Sequence, residues 1–381
     1  MKGSPAIREL LQDGTPTPAA VEAFIEEHRP FPLREGDRAT FVFRGNADGV
    51  RWQHWIFGLA SSQSFHRVQG TDLWYLTVDL RPASRIEYKL AIDYGENTIL
   101  IRDPLNPLKA RDPYGANSVC TTQGYERPDW TFPQADTREG RLEELEVYSE
   151  AFGEQRSLQI YLPARFRDSR RYPLLIMHDG SDYLRYSVAK TVLDNLIHRL
   201  EIPPMIVAFS NPGDRLREYA ADPRHARHIV EEVLPAVCAE YPIEDRPASR
   251  CIMGASFGGV ASLSTAWRYP GVFGNLFLQS GSFAFTDIGT HHRGAAFDPV
   301  VDFMNEFRES PGRPAEAIFM SCGVYESLIY ENRSLVPLLQ KCGIQVRFVE
   351  ARDGHNWENW RDRFREGLSW LFPGPLWKVY E

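Results

Sequence analysis

One serine stands out for the residues on either side of it. Gly254-Ala255-Ser256-Phe257-Gly258-Gly259 follows the apolar run Arg250–Met253 and precedes the helical pattern Val260–Tyr269. G-x-S-x-G in a strand-to-helix turn is a nucleophile elbow: glycines without a Cβ permit the tight turn, and the hydroxyl projects above the sheet. Taken out of that setting, the same motif is only a turn of small residues. A serine hydroxyl is a weak nucleophile at neutral pH and needs a base, which in this chain order follows an acid. His355, in Asp353-Gly354-His355-Asn356-Trp357 after the β-rich run Ile344–Glu350, is the expected base. His291 and His292 lie in a Gly/Thr/Arg loop and read as solvent-exposed. The acid should follow the strand between elbow and base. Ala315–Cys322 ends at Gly323-Val324-Tyr325-Glu326, which makes Glu326 the candidate. Glu331 falls inside the next helix, and Asp353 is too near His355 in sequence to be the usual partner. An oxyanion hole needs two aimed N–H groups. Phe257 supplies one, and the loop His178-Asp179-Gly180-Ser181 should supply the other, from Gly180 or alternatively Ser181.

These residues need a scaffold, and 381 residues exceed what one core usually holds, so two domains are expected. Ile7–Leu11 and Ala19–His28 carry short amphipathic helical patterns, giving a helical segment over residues 1–34. Thr40–Arg44, Asp72–Leu80 and Arg85–Ile92 are alternating or aromatic-rich and predict a small immunoglobulin-like β-sandwich over Asp37–Asp93. The Pro/Gly/Asn-rich stretch from Asp103 to about Pro133 reads as an irregular linker, so the sandwich with its linker covers 35–135. Beyond a boundary near residues 135–145, buried β-rich runs alternate with helical patterns through 140–381, including Tyr172–His178, Pro204–Ser210, Arg250–Gly254, Asn275–Ser280 and Ala315–Gly323. That alternation predicts an α/β domain with a mainly parallel sheet and helices on both faces.

Composition narrows the function. Forty-three Lys and Arg against 51 Asp and Glu give a net charge of −8 with no basic block, which argues against nucleic acid as a partner. No apolar run approaches the ~20 residues of a membrane span, so no membrane partner is expected. Five cysteines form no C-x-x-C pair and read as small core residues in a reducing, cytoplasmic setting; the N-terminus lacks the apolar stretch of a signal peptide. His225-Ala-Arg-His228 has H-x-x-H spacing without a glutamate between or a third ligand, and reads as an exposed helix face. No Walker loop or dinucleotide fingerprint is present, so neither a resident metal nor another cofactor is expected. Only six of the 43 basic residues are lysine; the arginine excess suits an anionic aromatic ligand, but its spread along the chain fits a compositional bias better. Nine Trp are many: Trp74 reads as core, and Trp357, two residues from His355, as a wall of the pocket.

His178-Asp-Gly, Asp214-Arg-Leu-Arg-Glu-Tyr, Glu231-Glu-Val-Leu-Pro, Gly254-Ala-Ser-Phe-Gly-Gly, Leu278-Gln-Ser-Gly-Ser-Phe and Asp353-Gly-His-Asn-Trp-Glu-Asn-Trp together span about Leu145–Leu371. With these motifs the C-terminal half resembles the esterase D family of α/β-hydrolases. Through Thr40-Phe-Val-Phe-Arg, Asp72-Leu-Trp-Tyr and Asp103-Pro-Leu-Asn-Pro, the full chain resembles its enterochelin (ferric enterobactin) esterase branch. The resemblance implies hydrolysis of a small-molecule ester, a ferric siderophore whose iron arrives with the substrate, in the cytoplasm. It implies Ser256 as nucleophile and His355 as base. Some members of the branch lack an effective third residue, which implies a weaker acid at Glu326. It also implies an active-site arginine, here Arg215 with Glu218, to meet an anionic tris-catecholate. Two alternatives stand beside this: a carbohydrate esterase acting on acetyl or feruloyl groups, and a catalytically silent binding protein.

Overall fold

The computed structural model describes residues 3–287 and 290–374, so Trp377 and the end of the predicted 140–381 domain lie outside the described residues. The chain divides into two compact units. One runs to Glu126 and also takes in Gly323–Glu326 and Ala351–His355; the other holds Arg127–Cys322, Ser327–Glu350 and the chain from Asn356 onward.

In the first unit, helices Pro5–Leu10 and Pro18–His28 form where the apolar periodicity places them, each capped by a side-chain oxygen, Ser4 and Thr17, with proline in the first turn. Two antiparallel sheets follow. One has the strand order Leu33–Glu35, Arg38–Arg44, Leu73–Asp79, His66–Arg67; the other is built around Gly49–His54, Arg85–Tyr94 and Gly115–Thr121. Phe41, Phe43, Trp74 and Leu76 from the first sheet share one apolar cluster with Trp52, Ile86, Tyr88 and Leu90 from the second, which makes a sandwich. Val42 and Tyr75 point the opposite way and pack with Ile7, Phe24 and Ile25 of the helices.

The predicted linker is only partly irregular. Lys109–Asp112 and Gly115–Thr121 within it are strands, and the latter pairs Val119 with Glu87 and Cys120 with Ile86. Gly115, Ala116 and Asn117 disguise this second strand as a loop, and its ladder partners are supplied by Arg85–Tyr88 on one side and Lys109–Asp112 on the other. The units also part at Glu126/Arg127, earlier than expected. Trp130 is buried in the second unit's core, and Asn195 Nδ2 donates to the carbonyls of Trp130 and Phe132, both at 2.8 Å, so this stretch is part of the second unit.

The second unit is an eight-stranded sheet. Its strands are β1 (Arg141–Ser149), β2 (Glu154–Leu162), β3 (Leu174–Met177), β4 (Ile206–Phe209), β5 (Arg250–Ala255), β6 (Asn275–Gln279), β7 (Ala317–Gly323) and β8 (Gln345–Ala351). Their order is β1-β2-β4-β3-β5-β6-β7-β8. The β1–β2 hairpin is antiparallel and β2 meets β4 antiparallel, while β4, β3, β5, β6 and β7 run parallel. Alternate side chains feed two cores: Leu174 and Ile176 on one face, Leu175 and Met177 on the other. Burial on both faces is why these strands read as unbroken apolar runs. This is the α/β-hydrolase fold. Among the described residues no helix is long and apolar enough to cross a membrane.

Candidate active site

Ser256 leaves β5 with φ 57° and ψ −122°, a backbone conformation a non-glycine residue adopts only when its surroundings hold it there. Gly254 makes the turn possible, since a Cβ there would stand 2.3 Å from the Gly258 carbonyl oxygen. The helix Phe257–Arg268 starts at once, and its first-turn N–H groups have no acceptors within the helix. The Gly259 N–H turns back to the Ser256 carbonyl at 3.0 Å, whereas the Phe257 N–H precedes that turn and is suited to a developing oxyanion. Ser256 Oγ lies 3.2 Å from the hydroxyl of Ser282, in the loop after β6.

Glu326 lies in the turn after β7 and His355 in the loop after β8. His355 Nδ1 is 2.6 Å from Glu326 Oε2, and the buried carboxylate also accepts the Gly323 N–H through Oε1 at 2.7 Å. Contact with the carboxylate sets the hydrogen of neutral His355 on Nδ1 and leaves the lone pair on Nε2, the arrangement a general base needs. Asp353 is engaged elsewhere: Arg85 Nη1 donates to its Oδ1 at 3.3 Å. Glu331 lies in the helix Ile329–Lys341, paired with Arg293.

Two expectations need correction. The Gly180 N–H donates to the Ser210 carbonyl at 2.9 Å and the Ser181 N–H to Asn211 Oδ1 at 3.0 Å, so neither is free for an oxyanion. Glycine is needed at 180 for packing: a Cβ would stand 2.4 Å from Phe209 Cβ and 2.6 Å from its Cα. The fork of Arg215 is spent on Asp179, with Nε to Oδ1 at 2.8 Å and Nη2 to Oδ2 at 2.7 Å; Nη2 also reaches the Ala255 carbonyl at 3.4 Å. Arg215 therefore clamps the loop after β3 to the end of β5, where an approach to substrate was expected. Trp357 is half-buried and packs edge-on against Tyr183 and Trp360, with ring centroids 5.2 and 4.9 Å apart.

The histidine pair read as an exposed helix face is buried. His225 is 2% and His228 1% exposed. Helical residues 223–240 contain a π-helical turn, His228–Val233, just before Pro235. The wider turn relieves the clash of the proline ring with the carbonyl four residues back, and it sets both imidazoles inward. His178 Nδ1 lies 3.0 Å from the Met253 carbonyl and 3.1 Å from Ser262 Oγ, whose own hydrogen goes to the Gly258 carbonyl. A carbonyl only accepts, so Nδ1 bears the hydrogen and His178 Nε2 is bare. Across 2.8 Å, His225 Nε2 must then be the donor. His225 Nδ1 faces Glu218 Oε2 at 3.7 Å. Glu218 is itself gripped by Arg156 at 2.7 and 2.8 Å, and its carboxyl is held far below the usual range. Burial holds all three imidazoles below their ordinary value. The sequence carried these residues in the quoted motifs; what it lacked was a sign that partners from residues 156, 218 and 232 would follow them inside.

The family Esterase, described as "Putative esterase", matches residues 149–371. The iron(III) enterobactin esterase of Escherichia coli O6:H1 (strain CFT073) is 26% identical over 334 residues, covering 80% of this chain and 81% of that one. In fold, the chain is similar to the ferric enterobactin esterase of Salmonella typhimurium, with 23% identity, a TM-score of 0.74, and 89% and 95% of the two chains covered. It is also similar to the enterobactin esterase of Shigella flexneri solved in the presence of enterobactin, with 23% identity, a TM-score of 0.71, and coverage of 88% and 92%. With more than half of its length matched by that family, the protein belongs to it and is a carboxylic ester hydrolase.

Proposed function

We propose that the protein is a serine esterase that hydrolyses the ester bonds of a ferric catecholate siderophore and so frees its iron in the cytoplasm. The contact of 2.6 Å between His355 and Glu326, on turns after β7 and β8 in the chain order that follows an elbow serine, carries the catalytic part. Ser256 Oγ attacks the ester carbonyl while His355 Nε2 takes its proton. Glu326 holds the imidazole and stabilises the imidazolium, and the Phe257 N–H donates to the oxyanion. The proton passes from His355 to the leaving alcohol. Water, deprotonated by His355, then cleaves the acyl-enzyme and regenerates Ser256.

The substrate part rests on relatives whose names carry enterobactin, matched along four fifths of the chain. Trp357, half-buried two residues after His355 and backed by Tyr183 and Trp360, suits a catechol ring. Five free cysteines suit a reducing compartment.

Ser256→Ala protein should lose p-nitrophenyl acetate turnover and fluorophosphonate labelling; wild-type turnover by that variant would sink the mechanism. A ferric catecholate trilactone should be turned over faster than feruloyl-xylan, and the reverse order would move the substrate to the carbohydrate side.

A further inference from the structure

The loop after β6 is held as firmly as the elbow it faces. Ser280 has φ 44°, in the left-handed region. The Ser280 N–H donates to the Ser321 carbonyl at 2.6 Å, and Trp360 Nε1 donates to Ser280 Oγ at 2.9 Å. Asn332 Nδ2 donates to the Gly281 carbonyl at 2.8 Å. Two backbone bonds lace this segment to the nucleophile: the Ser256 N–H to the Gln279 carbonyl at 2.9 Å, and the Ser282 N–H to the Ser256 carbonyl at 3.1 Å. The Ser282 side chain is thus placed by a framework without slack. It is 2% exposed, and its hydroxyl lies 3.2 Å from Ser256 Oγ.

A buried hydroxyl hydrogen left unpaired is costly, and Ser256 Oγ lies within reach as its acceptor. A hydroxyl oxygen has one hydrogen and two lone pairs. If Ser256 donated to Ser282, its hydrogen would point away from a base. With Ser282 as donor, one lone pair of Ser256 Oγ is occupied, its hydrogen is free for the base, and the remaining lone pair has a single direction.

We propose that Ser282 is a positioning residue for the nucleophile, its hydroxyl donating to Ser256 Oγ so that one lone pair is aimed at the ester carbonyl. This rests on Ser256 being the nucleophile. As the base removes the Ser256 proton, negative charge gathers on Oγ and the bond from Ser282 becomes charge-assisted, stronger than in the resting enzyme. Its contribution therefore falls on turnover more than on substrate binding.

The test compares Ser282→Ala, Ser282→Thr and Ser256→Ala in the full chain, with p-nitrophenyl acetate as substrate and melting temperature followed alongside. Ser282→Ala should lower kcat about tenfold with KM within about twofold, and slow fluorophosphonate labelling in parallel. Ser282→Thr, which keeps the hydroxyl, should recover most of kcat. Wild-type kcat in Ser282→Ala, or a loss confined to KM, overturns the proposal. If Ser282→Ala melts early, a Ser282→Thr enzyme of normal melting temperature that is as slow as Ser282→Ala also overturns it. Full activity in Ser256→Ala would instead refute the nucleophile itself, whereas an inactive Ser256→Ala beside an unimpaired Ser282→Ala refutes Ser282 alone.

Discussion

Glu326 divides its carboxylate between two donors: Oε2 faces Nδ1 of His355 at 2.6 Å, while Oε1 takes the N–H of Gly323 at 2.7 Å. The backbone bond fixes the carboxylate before the imidazole uses it. Glu326→Gln keeps the shape but offers His355 an N–H, which imposes the wrong tautomer. It should lower kcat by about 10³-fold or more, with Glu326→Ala less severe. A loss of less than tenfold in steady-state kinetics would show that the acid is idle.

The elbow makes a sharper demand on one of its glycines than on another. A Cβ at Gly254 would meet the Gly258 backbone at 2.3 Å, whereas at Gly258 the nearest atoms, in the Asp179 and His178 side chains, stand at 3.4 Å. Gly254→Ala should cost about 3 kcal/mol or more in urea unfolding, and Gly258→Ala less than about 1. Equal losses would contradict this account of the turn.

Asp179 is 4% exposed and depends on Arg215 for its charge pairing. Arg215→Leu should lower stability by about 1–3 kcal/mol, and Arg215→Lys should recover only part, because an ammonium cannot reproduce the fork. Unchanged urea midpoints for Arg215→Leu would return that arginine to a substrate-binding role.

His178, His225 and His228 are held below pH 6.5, chiefly by burial, with Glu218 and Glu232 opposing the shift at His225 and His228. Arg156 faces His225 and His228, while Arg215 faces His178, and these cations push the same way as burial. The unfolded chain therefore binds protons more readily than the fold below about pH 6.5. Their contribution is complete above that pH and falls away as the pH drops. Unfolding free energy should decline by about 1–3 kcal/mol between pH 7 and 5.5, and less steeply in His225→Gln. Glu218, whose carboxyl is depressed, adds its own loss only below about pH 4.5. A flat profile from pH 7 to 5.5 would show that these imidazoles do not titrate with unfolding.

What the sequence disclosed depended on how local each constraint was. The positions of Ser256, Glu326 and His355 just past strand ends were legible because each follows an apolar or β-rich run. The parallel strands announced themselves by unbroken apolar runs. Gly180 was correctly marked as a place of close approach, but Phe209 is what approaches, and the Ser210 carbonyl that takes its N–H lies on a loop far along the chain. The strand Gly115–Thr121 was hidden because its stability comes from pairing with Arg85–Tyr88 and not from its own composition. His225 and His228 were placed outside because polar residues usually are, until buried partners offset the cost.

The π-helical turn His228–Val233 gives the segment a length that cannot be trimmed freely. Each α-helical residue advances the chain by about 100° around its axis, so deleting one from the regular turn between His225 and His228 would rotate everything before it by that angle. His225 would swing away from His178, whose Nε2 would lose its buried partner. Among relatives of this chain, the spacing between these histidines and Leu234 should tolerate substitution far better than a change in count.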